Sequence, residues 1–479
     1  MYQAKHYAEN EQNGGSKAAM ILSVAVTLAI IFILGILAWA LPQRTYSEYE
    51  RRDLTQMPEF SVESFFKGEY TAQIELSYAD TFAFRDQFVR AKSLIEDCRG
   101  IHSEGTIHGK VPVGDGEEES APSEDTETKP DNNTSTPENP DISQNSQSES
   151  QSESQSEASS SEQQELEEPD DGAIGETIDG IFVYKGMGFE LFGGSKKASA
   201  YYASVINKYR AALPDSVRVY NMVVPKHAEF ALPKKYSSLS NSEKDAIDDI
   251  YSQLDDGVIA VDAYSVLKEH SKEYIYFNTD HHWTGLGAYY AYTAFTEAAG
   301  LEHYEYSDYT KHTIEGFLGT LYSDTMDNTM YNNPDSVEWC EFPVENETWQ
   351  YPKKDLENYY KTTVMASYAK GTYSYGVFLG GDYPLTIVKT SGVDNGRKCL
   401  IIKESYGNAL STYIASAFDE TYIVDERYYD GNIVDLVNER GITDVLIVNN
   451  ISASNTNFHI ANIEALLTQK YSGSIAYPY

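Results

Sequence analysis

CLIIKESYGNALSTYIASAFDETYIVD, residues Cys399–Asp425, carries the pattern that decides the fold. Its first four residues are apolar without alternation and stop at Lys403, as a short strand buried on both faces requires. Asn408–Phe418 then reads as a helix, and Thr421–Asp425 returns to a β-branched and aromatic run. Strand, helix and strand joined this tightly set two parallel neighbours with the helix across one face. The rhythm continues outward. Downstream come helix Ile433–Arg440, strand Asp444–Val448 and helix Ile460–Gln469. Upstream are helix Ala198–Leu213, strand Val217–Val224 ending at Pro225, helix Ser242–Leu254, strand Val258–Val261 and helix Tyr264–His270. Strand Tyr274–Phe277 and helix Leu286–Ala299 follow. The expected fold class is α/β, a parallel sheet with flanking helices, over residues 173–479. Tyr304–Pro384, rich in Tyr, Gly and Asn, breaks the rhythm and is expected to be an insertion or lid.

The 479 residues carry 74 acidic against 36 basic side chains, a formal net charge of -38. That balance argues against a nucleic-acid partner, because phosphate neutralisation needs clustered Lys and Arg. Cys98, Cys340 and Cys399 are odd in number and widely spaced, so no disulfide framework and no zinc spacing is present. There is no Walker loop, G-x-G-x-x-G or kinase signature, which disfavours nucleotide chemistry. Neither a metal nor another cofactor is expected.

Between Asp115 and Asp171 stand 19 acids, one base and no Phe, Tyr or Trp. Such a stretch cannot bury enough apolar surface to offset its ordering entropy, so residues 114–172 are expected to be a disordered acidic Ser/Glu/Gln-rich linker. Residues 18–41 hold no charge and are long enough to cross a hydrocarbon core of about 30 Å. They read as a transmembrane anchor, with residues 1–17 a cytoplasmic tail and the C-terminal body outside the cell membrane. A cleaved signal peptide is the rival reading, since Ala38-Trp39-Ala40 fits a cleavage site. Residues 42–113 read as a helical stalk or the N-terminal part of the body, with apolar helical spacing over Ser61–Arg99.

Two constellations carry candidate chemistry. Asn278-Thr279-Asp280-His281-His282-Trp283 follows an apolar run, at a strand's carboxyl end where open α/β sheets place ligand sites. If the segment is extended, Asp280 and His282 share a side and His281 points away. The carboxylate can then orient an imidazole base; a metal site and a structural strand-end motif are the alternatives. In Lys403-Glu404-Ser405-Tyr406-Gly407-Asn408 the serine sits between a strand and a helix. There it is either an N-cap or a nucleophile whose own and following N–H groups receive an oxyanion. Serine and Asp–His on two junctions of one sheet are the minimum set for acyl transfer. Ser405, His282 and Asp280 are therefore the catalytic candidates. Trp283 and Tyr406 are candidates for substrate binding, and Gly381, in the turn Gly380-Gly381-Asp382, for a further oxyanion N–H.

TDHHWTGLGAYYAY (Thr279–Tyr292), KESYGNAL (Lys403–Leu410), DERYYD (Asp425–Asp430) and Phe84-Arg85-Asp86 together resemble the DHHW protein family, over Arg51–Tyr479 apart from the linker. Glu404 stands where the pattern has Asp. The family is in turn similar to the SGNH-hydrolase-like domains of alginate O-acetylation proteins. That resemblance implies an SGNH-like fold with Ser405 as nucleophile, His282 as base and Asp280 as orienter. It also implies an O-acetyltransferase or acetylesterase on an exported or cell-wall polysaccharide, working beside a membrane-bound O-acyltransferase. A non-catalytic glycan-binding or scaffold protein on the same fold is the alternative, with Trp283 and the Tyr-rich insertion carrying the glycan.

Overall fold

Runs such as Leu400-Ile401-Ile402 and Val445-Leu446-Ile447 are apolar at every position, and a sheet buries them only when both of its faces are covered. The computed structural model, which describes residues 176–178, 180–352, 354, 356–471 and 473–479 with shorter stretches between 21 and 78, covers both faces. The first elements are β1 (Glu176–Ile178), β2 (Ile181–Tyr184) and β3 (Met187–Glu190), an antiparallel three-stranded sheet. Then come α1 (Lys196–Ala212), β4 (Arg218–Val224), α2 (Glu243–Ser252), β5 (Val258–Ala260) and α3 (Gly285–Ala299). The middle third supplies β6 (Lys311–Phe317), β7 (Asp335–Cys340), β8 (Asn346–Tyr351), β9 (Tyr360–Thr362) and β10 (Leu385–Thr390). The last part is β11 (Lys398–Lys403), α4 (Gly407–Ile414), β12 (Glu420–Asp425), α5 (Ile433–Arg440), β13 (Asp444–Asn450) and α6 (Asn457–Ala465).

The main sheet has eight strands in the order β9-β8-β10-β12-β11-β13-β4-β5. From β12 to β5 every pairing is parallel; β10, β8 and β9 add antiparallel strands on the other side. Alternate residues of one strand feed two cores. Cys399 and Ile401 of β11 join Leu446 and Val448 of β13 beneath α3 and α4. Leu400 and Ile402 join Val445 and Ile447 on the opposite face, beneath α1, α2, α5 and α6. Each fully buried aliphatic side chain contributes about 1.5–3 kcal/mol, and the polar exception inside β4, Asn221, is hydrogen-bonded to the Tyr202 hydroxyl and to Ile447 O.

The fold is thus mixed α/β with a large central sheet, and it corrects three expectations. The sheet is not all parallel, because the stretch expected to be an insertion or lid contributes β8 and β9 to its edge and the separate hairpin β6–β7. Tyr274–Phe277 is not a sheet strand: it makes a single bridge, Tyr276 to Trp283, across its own turn. The helix expected over Asn408–Phe418 ends at Ile414 and closes in a 3-10 turn, Ala415–Ala417.

Residues 1–17, the linker 114–172 and Phe84-Arg85-Asp86 lie outside the described residues. Within the expected anchor, 21–29, 32–33 and 36 are helical; in the expected stalk helix, 65, 70–71, 73–74 and 77–78 are. Among the described residues no helix is long and apolar enough to cross a membrane.

Candidate active site

The DHHW string does not extend; it turns. Asp280 Oδ1 accepts the His282 N–H at 3.0 Å, an Asx-turn bond across two residues. Phe277 N–H to His282 O (3.3 Å) and Thr284 N–H to Ile275 O (2.9 Å) close the loop. Thr284 then caps α3 by accepting the Gly287 N–H, so the loop runs directly into a helix. The same Asp280 oxygen lies 2.6 Å from His282 Nδ1, so one carboxylate both shapes the turn and orients the ring. Its other oxygen accepts the Thr320 N–H at 2.9 Å and the Thr320 hydroxyl at 3.2 Å.

The far side of that imidazole meets the serine: His282 Nε2 is 2.8 Å from Ser405 Oγ. Asp280 and His282 are buried and Ser405 is half-buried. Burial lowers the His282 pKa, His281 pushes it further down, and the Asp280 carboxylate opposes both. Ser405 is not the helix cap; that position falls on Tyr406, whose side chain makes no capping bond. The order Ser405–His282–Asp280 is the geometry in which a hydroxyl passes its proton to an oriented imidazole.

His281 corrects the extended-strand expectation. Its ring lies 3.9 Å from that of His282, and its Nδ1 is 2.5 Å from Thr320 Oγ1, on the same side as the pair. Asp280, His281 and His282 accordingly bring ligand-type atoms within 4.8 Å of one another. Both His282 nitrogens are already engaged, so a metal ion here would compete with Asp280 and Ser405 for them.

Trp283 and Tyr406 are not surface residues. Both are completely buried, Trp283 Nε1 donates to Tyr406 O at 3.0 Å, and the Tyr406 hydroxyl donates to His281 O. With no face open to a ligand, they fasten the histidine loop to the serine elbow, which corrects the substrate-binding expectation. Two expected oxyanion donors are also taken. Glu404 Oε2 accepts the Tyr406 N–H at 2.9 Å, and the Gly381 N–H turns back to Phe378 O at 3.4 Å. Glu404 is held on its other side by the Asn450 backbone and side chain, at 3.0 and 3.1 Å. It is therefore a strut of the elbow.

Sequence reading missed several supports. Tyr375 stacks on His282 (ring centroids 3.9 Å apart, 12° between planes) and donates to Ser405 O at 3.0 Å. Asp335, at the start of β7, accepts from Asn278 N (2.9 Å), Thr279 N (2.7 Å), Thr279 Oγ1 (2.6 Å) and the Tyr274 hydroxyl. Gly319 packs so closely that an added Cβ would stand 2.2 Å from Asp280 Cβ. A glycine beside Thr320 and an aspartate after Asn-Pro were visible, but nothing local tied them to a loop some 40 to 55 residues away. Asp382 belongs to another network: burial raises its pKa, but Lys403 (3.4 Å) and Arg427 (3.0 Å) outweigh that and hold it well below the usual range.

Glu243 lies behind this site with Lys226. Its Oε2 accepts the Lys226 N–H at 2.6 Å, and its Oε1 has no hydrogen-bond partner. Burial pushes this carboxyl up to about 7, against the pull of Lys226. Between about pH 4.5 and 7 the folded protein therefore keeps a proton that the unfolded chain has released. Stability is full below that window and is lost as pH rises through it, by about 3 kcal/mol. From pH 5 to pH 8 the wild type is expected to lose more stability, or gain less, than Glu243→Gln in urea unfolding, since buried His227, held down to about 4, acts the other way in both proteins. An unchanged pH dependence in Glu243→Gln would place the proton elsewhere.

A mixed α/β protein with a Ser–His–Asp array assembled where a histidine loop meets the carboxyl end of β11 is the class these observations define. The sequence profile of the DHHW protein family matches residues 50–424, and the chain belongs to that family. A DHHW family protein from Eubacterium siraeum is 34% identical, with a TM-score of 0.58, over 62% of this chain and 99% of that one. PatB1 of Bacillus cereus, in a structure with a sulfonyl adduct, is 18% identical with a TM-score of 0.51, over 62% of this chain and 99% of that one. The O-acetyltransferase domain of Pseudomonas putida AlgJ aligns at 14% identity and a TM-score of 0.35, over 61% of this chain and 98% of that one. No curated protein sequence matches the chain.

Proposed function

We propose that this protein is an SGNH-like, serine-dependent acyl-ester enzyme, an O-acetyltransferase or acetylesterase acting on an exported or cell-wall polysaccharide. The observation that carries the reading is the unbroken hydrogen-bonded series Ser405 Oγ–His282 Nε2 (2.8 Å) and His282 Nδ1–Asp280 Oδ1 (2.6 Å). Ser405 Oγ attacks the acyl carbonyl carbon while its proton passes to His282 Nε2. The tetrahedral intermediate collapses, the donor C–O bond breaks, and the leaving oxygen takes that proton. In the second half a sugar hydroxyl or water gives its proton to His282 and attacks the acyl-serine, and the proton returns to Ser405. Asp280 keeps Nδ1 protonated throughout and balances the charge on the ring. In this reading residues 18–41 anchor the body outside the membrane, beside a membrane-bound O-acyltransferase that supplies the acyl group.

The test is covalent capture. Phenylmethanesulfonyl fluoride is expected to add one sulfonyl group to wild type, seen by intact mass and mapped to Ser405, and none to Ser405→Ala. Labelling elsewhere, or none together with no aryl-acetate release, would move the reading to a glycan-binding scaffold. The pH profile gives a second check. With the His282 pKa lowered, the neutral base form is already dominant at about pH 7, so kcat/KM for an aryl acetate is expected to be flat above that pH and to fall only on further acidification. A limb centred above pH 7 would identify a different base.

A further inference from the structure

One short 3-10 segment, Gly371–Val377, faces two ways. It sends Tyr375 inward onto His282 and Ser405, and Tyr373 outward, 46% exposed. Tyr373 is not alone outside. Of the eight exposed large apolar or aromatic side chains from residue 180 onward, four fall within 359–373: Tyr359, Tyr360, Tyr368 (67% exposed) and Tyr373. Tyr360, Tyr368 and Tyr373 gather around one turn, while Tyr359 turns to Tyr351. The Tyr373 hydroxyl donates to Gly380 O, Tyr368 Oη stands within contact distance of Gly380, and the rings of Tyr360 and half-buried Tyr383 are 6.3 Å apart. Two residues after Gly380, Asp382 accepts from Asn408 Nδ2 at 2.8 Å, one helical turn beyond Ser405. Through that bond, and through Tyr375 two residues after Tyr373, the cluster is tied to the elbow that carries Ser405.

The chemistry of the patch is selective. It exposes tyrosine rings and no large aliphatic side chain. Tyrosine offers a flat apolar face for sugar C–H groups and a hydroxyl at its wet end. The patch is also almost uncharged within a protein of net charge -38. Of its three ionic residues, Lys361 pairs with Glu347 at 2.6 Å and Asp382 with Lys403 and Arg427, which leaves Lys370. A polyanionic glycan would meet repulsion from the rest of the surface with little local attraction.

We propose that Tyr360, Tyr368, Tyr373 and Tyr383 form the platform on which an uncharged polysaccharide chain lies as it is presented to Ser405. The platform deepens the acyl-enzyme reading and rests on it for its purpose, but its occupancy is measured without any turnover.

Affinity electrophoresis of the full chain in gels containing xylan, glucomannan or dextran, with alginate as the polyanion, tests it. Wild type and Ser405→Ala are expected to be retarded equally by at least one uncharged polysaccharide. Tyr360→Ala/Tyr368→Ala is expected to bind about tenfold more weakly, the loss of roughly one good aromatic contact. Tyr368→Trp keeps a stacking face and should bind as wild type does; Phe458→Ala removes an exposed aromatic outside the patch and should change nothing. No retardation of wild type by any of the three uncharged polymers, retardation by alginate alone, or full binding by the double variant would overturn the platform. Because Ser405→Ala is read for binding only, failure of the acyl-serine chemistry and failure of the platform give separate results.

Discussion

Replacing Ser405 by alanine is expected to lower kcat for aryl-acetate hydrolysis by at least about a thousandfold, with the fold intact. The size follows from the arrangement. Ser405 Oγ is the group that His282 Nε2 can deprotonate at 2.8 Å, and His282 is aimed there because Asp280 holds its other nitrogen. His282→Ala is expected to cost about as much, and the double variant no more than either single one, because nucleophile and base act as a unit. Stability should move by no more than about 1 kcal/mol in Ser405→Ala, since the half-buried hydroxyl is lost where water can reach. Chelator is expected to leave wild-type hydrolysis unchanged. Hydrolysis that survives in Ser405→Ala, or that a chelator removes and a divalent ion restores, would replace the acyl-serine by metal-assisted hydrolysis at Asp280, His281 and His282.

The second large effect falls on a residue that touches none of the reacting atoms. Asp335→Ala is expected to destabilise the protein by about 3–5 kcal/mol, measured by urea unfolding. One buried carboxylate there takes two backbone N–H groups and two hydroxyls from the segment Tyr274–Thr279. Alanine would leave those donors buried and unmatched. Asp335→Asn keeps two acceptor lone pairs and should recover part of the loss, whereas a simple packing defect would not distinguish the two variants. Activity should follow the loop: at temperatures where Asp335→Ala is still folded, kcat is expected to fall more than KM rises, because Asp280 and His282 lose their register and not their substrate. Stability within about 1 kcal/mol of wild type would mean that the hairpin β6–β7 is not what holds the loop.

The parallel half of the sheet was legible because its cause is local. Runs such as Cys399–Ile402 and Val445–Val448 are apolar at consecutive positions and alternate with helices, and α5 spans the limits its sequence pattern sets, Ile433–Arg440. The antiparallel half was not. β8 holds Asn, Glu, Thr and Gln beside Trp349 and Tyr351, and its place beside β10 is set by pairing from Asn346 with Thr390 to Tyr351 with Leu385, which no composition reveals. The same divide runs through the site. Asp280, His282 and Ser405 stood out as chemistry-bearing types at element junctions. Trp283 and Tyr406 stood out equally, yet their rings are wholly buried; an aromatic side chain at a junction looks the same in sequence whether it faces a ligand or the core.

By itself the sequence determined the element types, the alternation that demands a sheet covered on both faces, and the short list of residues able to carry nucleophilic chemistry. These follow from side-chain character and its spacing along one chain. Only the tertiary structure decided that Asp280 works through an Asx turn, that His281 shares the site, and that Glu404 takes the Tyr406 N–H. It alone brought Thr320, Asp335 and Tyr375 to the same loop. The contacts of His281, Thr320, Asp335 and Tyr375 join residues 39 to 93 positions apart, and a hydrogen bond depends on direction and on a few tenths of an ångström. Such geometry exists once the sheet has closed and its loops have packed, and no periodicity along the chain encodes it.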